Sequence, residues 1–153
     1  MLEIVPGNLL DAQEQYITHQ ANCVTSRAAH LAAAMFRKFP HADIYSGRAK
    51  HDKPGTIMIK GDGQGERLVI AMLGQYFPGK PRYPDSKLDG YSARQGYFQS
   101  CLDQILALNL DSIAFPNGVG CGAAGGDWAI YLKMIEGFAS RTSARVAIYK
   151  LED

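Results

Sequence analysis

The sequence predicts an α/β protein, a three-layer α/β/α sandwich built on a mixed, mostly parallel sheet. Short apolar or alternating runs bounded by Gly, Pro, Asn and Asp alternate with longer stretches whose apolar residues recur at helical spacing. The helical stripes are single-faced, as expected of helices laid over a sheet. Two β-rich runs are joined by Gly61-Asp62-Gly63-Gln64-Gly65, a hairpin signal that adds an antiparallel strand to an otherwise parallel sheet.

Taken in order, Met1 to Val5 is an apolar run closed by Pro6-Gly7, and Tyr16 to His19 is a second, so two strands precede the first helix. The turn between them, Gly7 to Asp11, carries Asn8 and Asp11, which either cap or present an oxygen to a ligand. Asn22 to Ser26 is a polar loop leading into a helix expected over Arg27 to Phe39, with Leu31, Ala34, Met35 and Phe39 as its apolar stripe. Arg37 and Lys38 lie where the helix dipole favours cations, and Pro40 stops the helix. His41 to Pro54 reads as an exposed connection without chemistry. Thr56 to Lys60 and Arg67 to Leu73 form the hairpin, the second strand apolar throughout and therefore central.

Gln75 to Tyr91 holds Pro78, Pro81, Pro84, Gly79 and Gly90, which predicts a long ordered loop. Its Tyr76, Phe77, Lys80, Arg82 and Tyr83 interleave aromatic and basic character, suited to stacking on a base and neutralising phosphate. From Ser92 to Leu108, Tyr97, Phe98, Cys101, Leu102, Ile105 and Leu106 mark one face of an amphipathic helix. Ser112 to Phe115 is a buried strand, Trp128 to Ser140 the last helix, and Arg145 to Tyr149 the closing strand.

The chain has 153 residues, 46% hydrophobic and 20% charged, which suits one domain over 1–153 with a core that requires neither disulfide nor metal. A net charge of +1 gives no overall field for nucleic acid or a membrane surface, so sequence-specific nucleic-acid binding is not expected. Cys23, Cys101 and Cys121 are odd in number and lack C-x-x-C spacing, which reads as free thiols in a reducing compartment. With no signal-peptide pattern and no apolar run of spanning length, the expectation is a cytoplasmic protein without a membrane partner. No metal-ligand spacing or cofactor motif is present, so none is expected.

The chemistry concentrates in Phe115 to Trp128, F-P-N-G-V-G-C-G-A-A-G-G-D-W, where a strand opens through glycines into a helix. Glycines 118, 120, 122, 125 and 126 let the backbone approach a ligand, so that successive N–H groups converge on an oxyanion, and the helix start adds further unpaired N–H groups. This reads as a phosphate or diphosphate cradle. Gly120-x-Gly122-x-x-Gly125 matches the letters of a dinucleotide fingerprint, but Arg145 stands near the offset where the acidic residue belongs and no further βαβ unit follows. No Walker-type lysine follows either. Cys121 reads as a thiolate nucleophile or as a small apolar filler; the arginine that thiolate loops place just downstream is replaced by Asp127 and Trp128. Asp127 fits helix capping better than catalysis, since a carboxylate would repel a phosphate.

Together the two polar loops resemble those of the macro domain family, which binds ADP-ribose, and the resemblance spans nearly the whole chain. It rests on G-N-L-L at 7 to 10, A-N-C at 21 to 23, F-R-K-F-P at 36 to 40, P-G-T-I at 54 to 57 and above all G-V-G-C-G-A-A-G-G-D-W at 118 to 128. The last is similar to the loop of a bacterial and phage branch described as processing ADP-ribose 1''-phosphate. The resemblance implies that Gly118, Val119, Gly120, Cys121, Gly122, Ala123, Ala124, Gly125 and Gly126 cradle the diphosphate. It implies that Asn8, Leu9 and Leu10 meet the adenine, that Asn22 holds the distal ribose, and that Gln75 to Phe77 close over it. Where relatives commonly carry a glycine-rich M-G-x-G-I-A start to the first helix, this chain has Arg27-Ala28-Ala29-His30-Leu31-Ala32. Ala28 and His30 in place of two glycines deny the close backbone approach, so the distal ribose either sits differently or carries a group that Arg27 or His30 reads. The chain also has Gln75 and Ala124 where one branch has its catalytic lysine and aspartate, and that mechanism is not carried over.

The leading expectation is a hydrolase acting at C1'' of the distal ribose, an ADP-ribose 1''-phosphate phosphatase or ADP-ribosyl hydrolase, with Asn22 holding ribose hydroxyls and His30 as acid or base. The alternatives are a non-catalytic reader of ADP-ribose and an enzyme that removes ADP-ribose from modified protein or nucleic acid.

Overall fold

The computed structural model describes residues 2–152, so Met1 of the first expected strand lies outside the described residues. The strands are β1 (Leu2–Pro6), β2 (Tyr16–Gln20), β3 (Ile57–Lys60), β4 (Val69–Met72), β5 (Ser112–Pro116) and β6 (Arg145–Lys150). They form a six-stranded sheet in the order β1-β6-β5-β2-β4-β3. All neighbouring pairs run parallel except the β3–β4 hairpin, which is antiparallel as its glycine-rich turn predicts.

The helices are α1 (His30–Lys38), α2 (Tyr91–Leu106) and α3 (Trp128–Arg141). The parity of strand residues separates two cores. Ile70, Met72, Ile113, Phe115, Val146 and Ile148 meet Phe98, Leu102, Ile105, Ile135 and Phe138 of α2 and α3. Ile17, Val69, Ala71 and Ala114 point the other way, onto Met35 and Phe36 of α1. The mixed three-layer arrangement is the one the patterning predicts.

Three sequence expectations need correction. First, α1 begins at His30 and not at Arg27, with no side-chain cap on Ala29 and His30 itself at φ 54. The three preceding residues lie outside the helix, because no residue there can cap and the chain must turn sharply to enter it. Second, the buried face of α1 is Ala32, Met35 and Phe36; of the expected stripe Met35 is buried and Leu31 and Phe39 pack partly buried against the same core, while Ala34 is not part of it. Third, the segment after Pro40 is not merely an exposed connection: Ala42, Ile44 and Tyr45 are buried, and the Arg48 side chain is only 4% exposed.

The topology fixes where a ligand can sit. From β2 the chain crosses through α1 toward β4, whereas from β5 it crosses through α3 toward β6, on the opposite side. Adjacent parallel strands whose crossovers diverge leave a crevice beyond their carboxyl ends. The Asn22 loop and the glycine loop both start there.

Candidate functional site

That crevice is a cleft of about 650 Å³, within the range of small-molecule sites. One wall is the β5–α3 loop from Pro116 to Ala124, the other the β2–α1 loop from Asn22 to Ala32, and Gln20, Gln75, Pro78 and Gly79 complete it.

In the β5–α3 loop, Gly118, Gly120 and Gly125 have φ of 76, 78 and 80, the left-handed region glycine enters without a Cβ penalty. At Gly120 the demand is doubled, since a Cβ there would lie 2.6 Å from Tyr131 and 2.9 Å from the Gln20 Oε1. The loop closes on itself by Cys121 N–H donating to Gly118 (2.8 Å), Gly125 N–H to Gly122 (3.1 Å) and Gly126 N–H to Gly120 (3.2 Å). The amides of Gly118, Gly120, Gly122, Ala123 and Ala124 donate to no main-chain carbonyl among the described residues, and all of these residues line the cleft. Converging unpaired N–H groups beside a helix start form an anion site. Asp127 is spent capping α3, its Oδ1 accepting from Ala129 N–H at 3.0 Å, which agrees with the capping reading.

Cys121 lines the same wall, but burial pushes its thiol up to about 11, and Asp127 adds to the shift. A thiol held protonated is no nucleophile at neutral pH. The filler reading fits this environment, and the thiolate reading does not.

The β2–α1 wall is built differently. Asn22 Oδ1 accepts from Val24 N–H (3.0 Å), Thr25 N–H (2.9 Å) and the Thr25 hydroxyl (3.2 Å), while its Nδ2 donates to the Tyr45 hydroxyl at 3.3 Å. Tyr45 also accepts from Asn22 N–H at 2.9 Å. Arg48 donates to the carbonyls of Asn22 (3.1 Å) and Thr25 (3.0 Å), pairs with Asp52, and lies over the Tyr45 ring. Asn22 thus fixes its own loop first, leaving an amide hydrogen as what it can offer a ligand. Sequence reasoning missed Tyr45 and Arg48, which lie more than twenty residues downstream in a stretch without a periodic signal.

Arg27 and His30 are exposed and line the cleft; no Asp or Glu among the described residues does. No group of three or more His, Cys, Asp or Glu among the described residues is placed to hold a metal ion.

Of the residues singled out from sequence, Asn22, Arg27, His30, Gln75 and Gly118 to Ala124 come together. The others do not line the cleft. Asn8 caps a short turn, accepting from Leu10 N–H at 2.9 Å, and Leu9 is buried in the α1-side core. Tyr76 packs against that core, with His51 hydrogen-bonded to its hydroxyl at 2.7 Å. Gly125 lies under the Lys80 side chain, and Gly126 is pressed against the Gly120 carbonyl and Tyr131. These last two glycines shape the loop from behind.

No protein-family profile matches the chain, and no curated protein matches its sequence. Solved structures do share its course. The macrodomain of Thermus aquaticus DarG superposes with a TM-score of 0.75 at 22% identity, covering 98% of each chain. Thermosipho africanus DarTG in complex with ADP-ribose gives 0.72 at 16% identity, over 98% of this chain and 42% of that one. An alphavirus P23pro-zbd structure gives 0.71 at 22% identity, this chain matching 22% of that much longer one. At such identities the likeness is one of fold.

Proposed function

Taking the macrodomain fold of this chain as the premise, we propose that its cleft binds ADP-ribose and that the protein hydrolyses a group linked to C1'' of the distal ribose, a 1''-phosphate in the first instance. The observation that carries the reading is the set of five amides without a main-chain acceptor, those of Gly118, Gly120, Gly122, Ala123 and Ala124, on the wall of a cleft of diphosphate-sugar size that no carboxylate among the described residues lines. The ADP-ribose seen in the Thermosipho structure supports the same ligand class. The amides fix the diphosphate without reorganising, and that anchorage lays the distal ribose against the β2–α1 wall. There Arg27 offers charge to an anionic substituent. His30 supplies an imidazole that can take a proton from water or give one to the leaving oxygen. The remaining titratable groups of the lining are Tyr45, whose hydroxyl burial pushes upward, and Cys121, held protonated.

A second reading, a reader that binds without turnover, is favoured by one observation: the Asn22 acceptor is consumed by its own loop. Incubation with ADP-ribose 1''-phosphate separates the two. Phosphate released by the native protein and lost in His30→Ala supports the hydrolase; saturable binding without product leaves the reader. Release of ADP-ribose from modified protein or nucleic acid, with the small phosphate ester untouched, would move the leaving group to a macromolecule.

A further inference from the structure

Arg94, in the first turn of α2, is among the most buried side chains of the protein, 2% exposed, and lies outside the cleft lining. Its Nε donates to Asp89 Oδ1 (3.1 Å) and its Nη2 to Asp89 Oδ2 (2.7 Å) and to the Phe77 carbonyl (3.1 Å). Its Nη1 donates to the carbonyls of Gly79 (2.7 Å) and Ala124 (3.3 Å). Every N–H of the guanidinium therefore has an acceptor. Asp89 is equally committed, since its Oδ1 also accepts from Tyr76 N–H (2.6 Å) and its Oδ2 from Phe77 N–H (3.0 Å).

The partners belong to two segments that meet the cleft separately. Ala124 ends the amide row of the glycine loop; Pro78 and Gly79 belong to the loop after β4, where Gln75 donates to Phe77 and accepts from Gln20 on β2. A saturated, buried ion pair with fixed fork geometry is the hydrogen-bonded connection between them. Its loss would free both loops from one another while leaving each attached to its own strand.

We propose that Arg94, oriented by Asp89, is a positioning residue that sets the distance between the Gln75–Gly79 segment and the amide row of the glycine loop, and so the width of the cleft at the diphosphate. The proposal rests on the reading of the cleft as an ADP-ribose site. Arg94→Lys keeps the charge opposite Asp89 but, lacking the planar fork, cannot reach Gly79 and Ala124 at once.

Hydrogen exchange on the unliganded Arg94→Lys protein is expected to speed up at Tyr76 and Phe77 and also at Gly125 and Gly126, with β5 and β6 unchanged. Affinity for ADP-ribose is expected to fall by roughly 10²-fold, the scale of misplaced binding groups. Ile105→Ala, near the far end of the same helix and outside the Arg94 hydrogen-bond network, provides a core-weakening control and is expected to bind as the native protein does. Exchange that rises in only one of the two loops, or an equal loss of affinity in Ile105→Ala, overturns the positioning role. A native protein that does not bind ADP-ribose removes the ligand reading instead, and the exchange pattern still decides whether Arg94 couples the loops.

Discussion

The two walls of the cleft are built by opposite means. The β5–α3 wall presents main chain, with the amides of Gly118, Gly120, Gly122, Ala123 and Ala124 without a main-chain acceptor among the described residues and small side chains between them. The β2–α1 wall presents side chains, most of them already engaged: Asn22 holds Val24 and Thr25, while Tyr45 and Arg48 hold Asn22 in turn. A main-chain site depends on backbone path and is destroyed by whatever fills it. A side-chain site depends on which residue stands there, and can change its chemistry without changing the path. Arg27 and His30 belong to the side-chain wall, and His30 stands at φ 54, a conformation that costs a non-glycine residue about 1–2 kcal/mol.

The largest expected effect comes from filling the main-chain wall. A side chain at Gly122 would meet no protein atom within 4 Å, so Gly122→Glu projects a carboxylate into the cleft without disturbing the core. Calorimetry should show ADP-ribose binding abolished while the melting temperature stays within a degree or so, because surface changes away from packing are worth about 0.5 kcal/mol or less. Next come the side chains of the other wall. His30→Ala should reduce phosphate release by about 10²–10⁴-fold with little loss of affinity, the usual contribution of a positioned acid or base. His30→Gly should lose the same activity yet gain roughly 1 kcal/mol in urea denaturation, since glycine enters the positive-φ region freely. A variant that loses activity only as alanine would mean that backbone, and not imidazole, is what matters there.

A third test concerns His19, which lies behind the side-chain wall on β2, edge-on to Phe36, with neither ring nitrogen bonded. Burial pulls its pKa from the ordinary 6.5 down to about 4. The unfolded chain therefore binds the extra proton between these values. The stability tied to neutral His19 is complete above about pH 6.5 and is lost progressively as pH falls toward 4, by roughly 3 kcal/mol in all. Denaturation midpoints at pH 7 and pH 4.5 should differ less in His19→Leu than in the native protein. The smallest effect is expected at Cys121. With its thiol pushed up to about 11, Cys121→Ala should leave turnover within about twofold, and a thiol-alkylating reagent at pH 7 should react slowly with it.

Much of the fold was legible because strand and helix periods are local signals. The hairpin at Gly61 to Gly65, the apolar run of β4 and the stripes of α2 and α3 all lie in contiguous sequence and appear where their patterns place them. The glycine loop was legible for a similar reason, since strand, glycines and helix occur in unbroken order. What stayed hidden depends on contacts across the sequence. Arg94 reads as one more polar residue of a helix until Phe77, Gly79 and Ala124 surround it. Tyr45 and Arg48 stand in an aperiodic stretch whose task appears only when Asn22 folds beside it. The turn at Asn8 shows the reverse case: of the two uses its sequence offered, capping is the one visible in the geometry, with Asn8 accepting from Leu10 N–H beside a buried Leu9.

The measurement that bears most directly on the main-chain cradle is a calorimetric titration of the native protein and Gly122→Glu with ADP-ribose, alongside AMP. Saturable binding of ADP-ribose to the native protein, much weaker binding of AMP and none of either ligand's heat retained in the variant is the predicted result. Equal binding by the two proteins, or no preference for the diphosphate over the monophosphate, would contradict it.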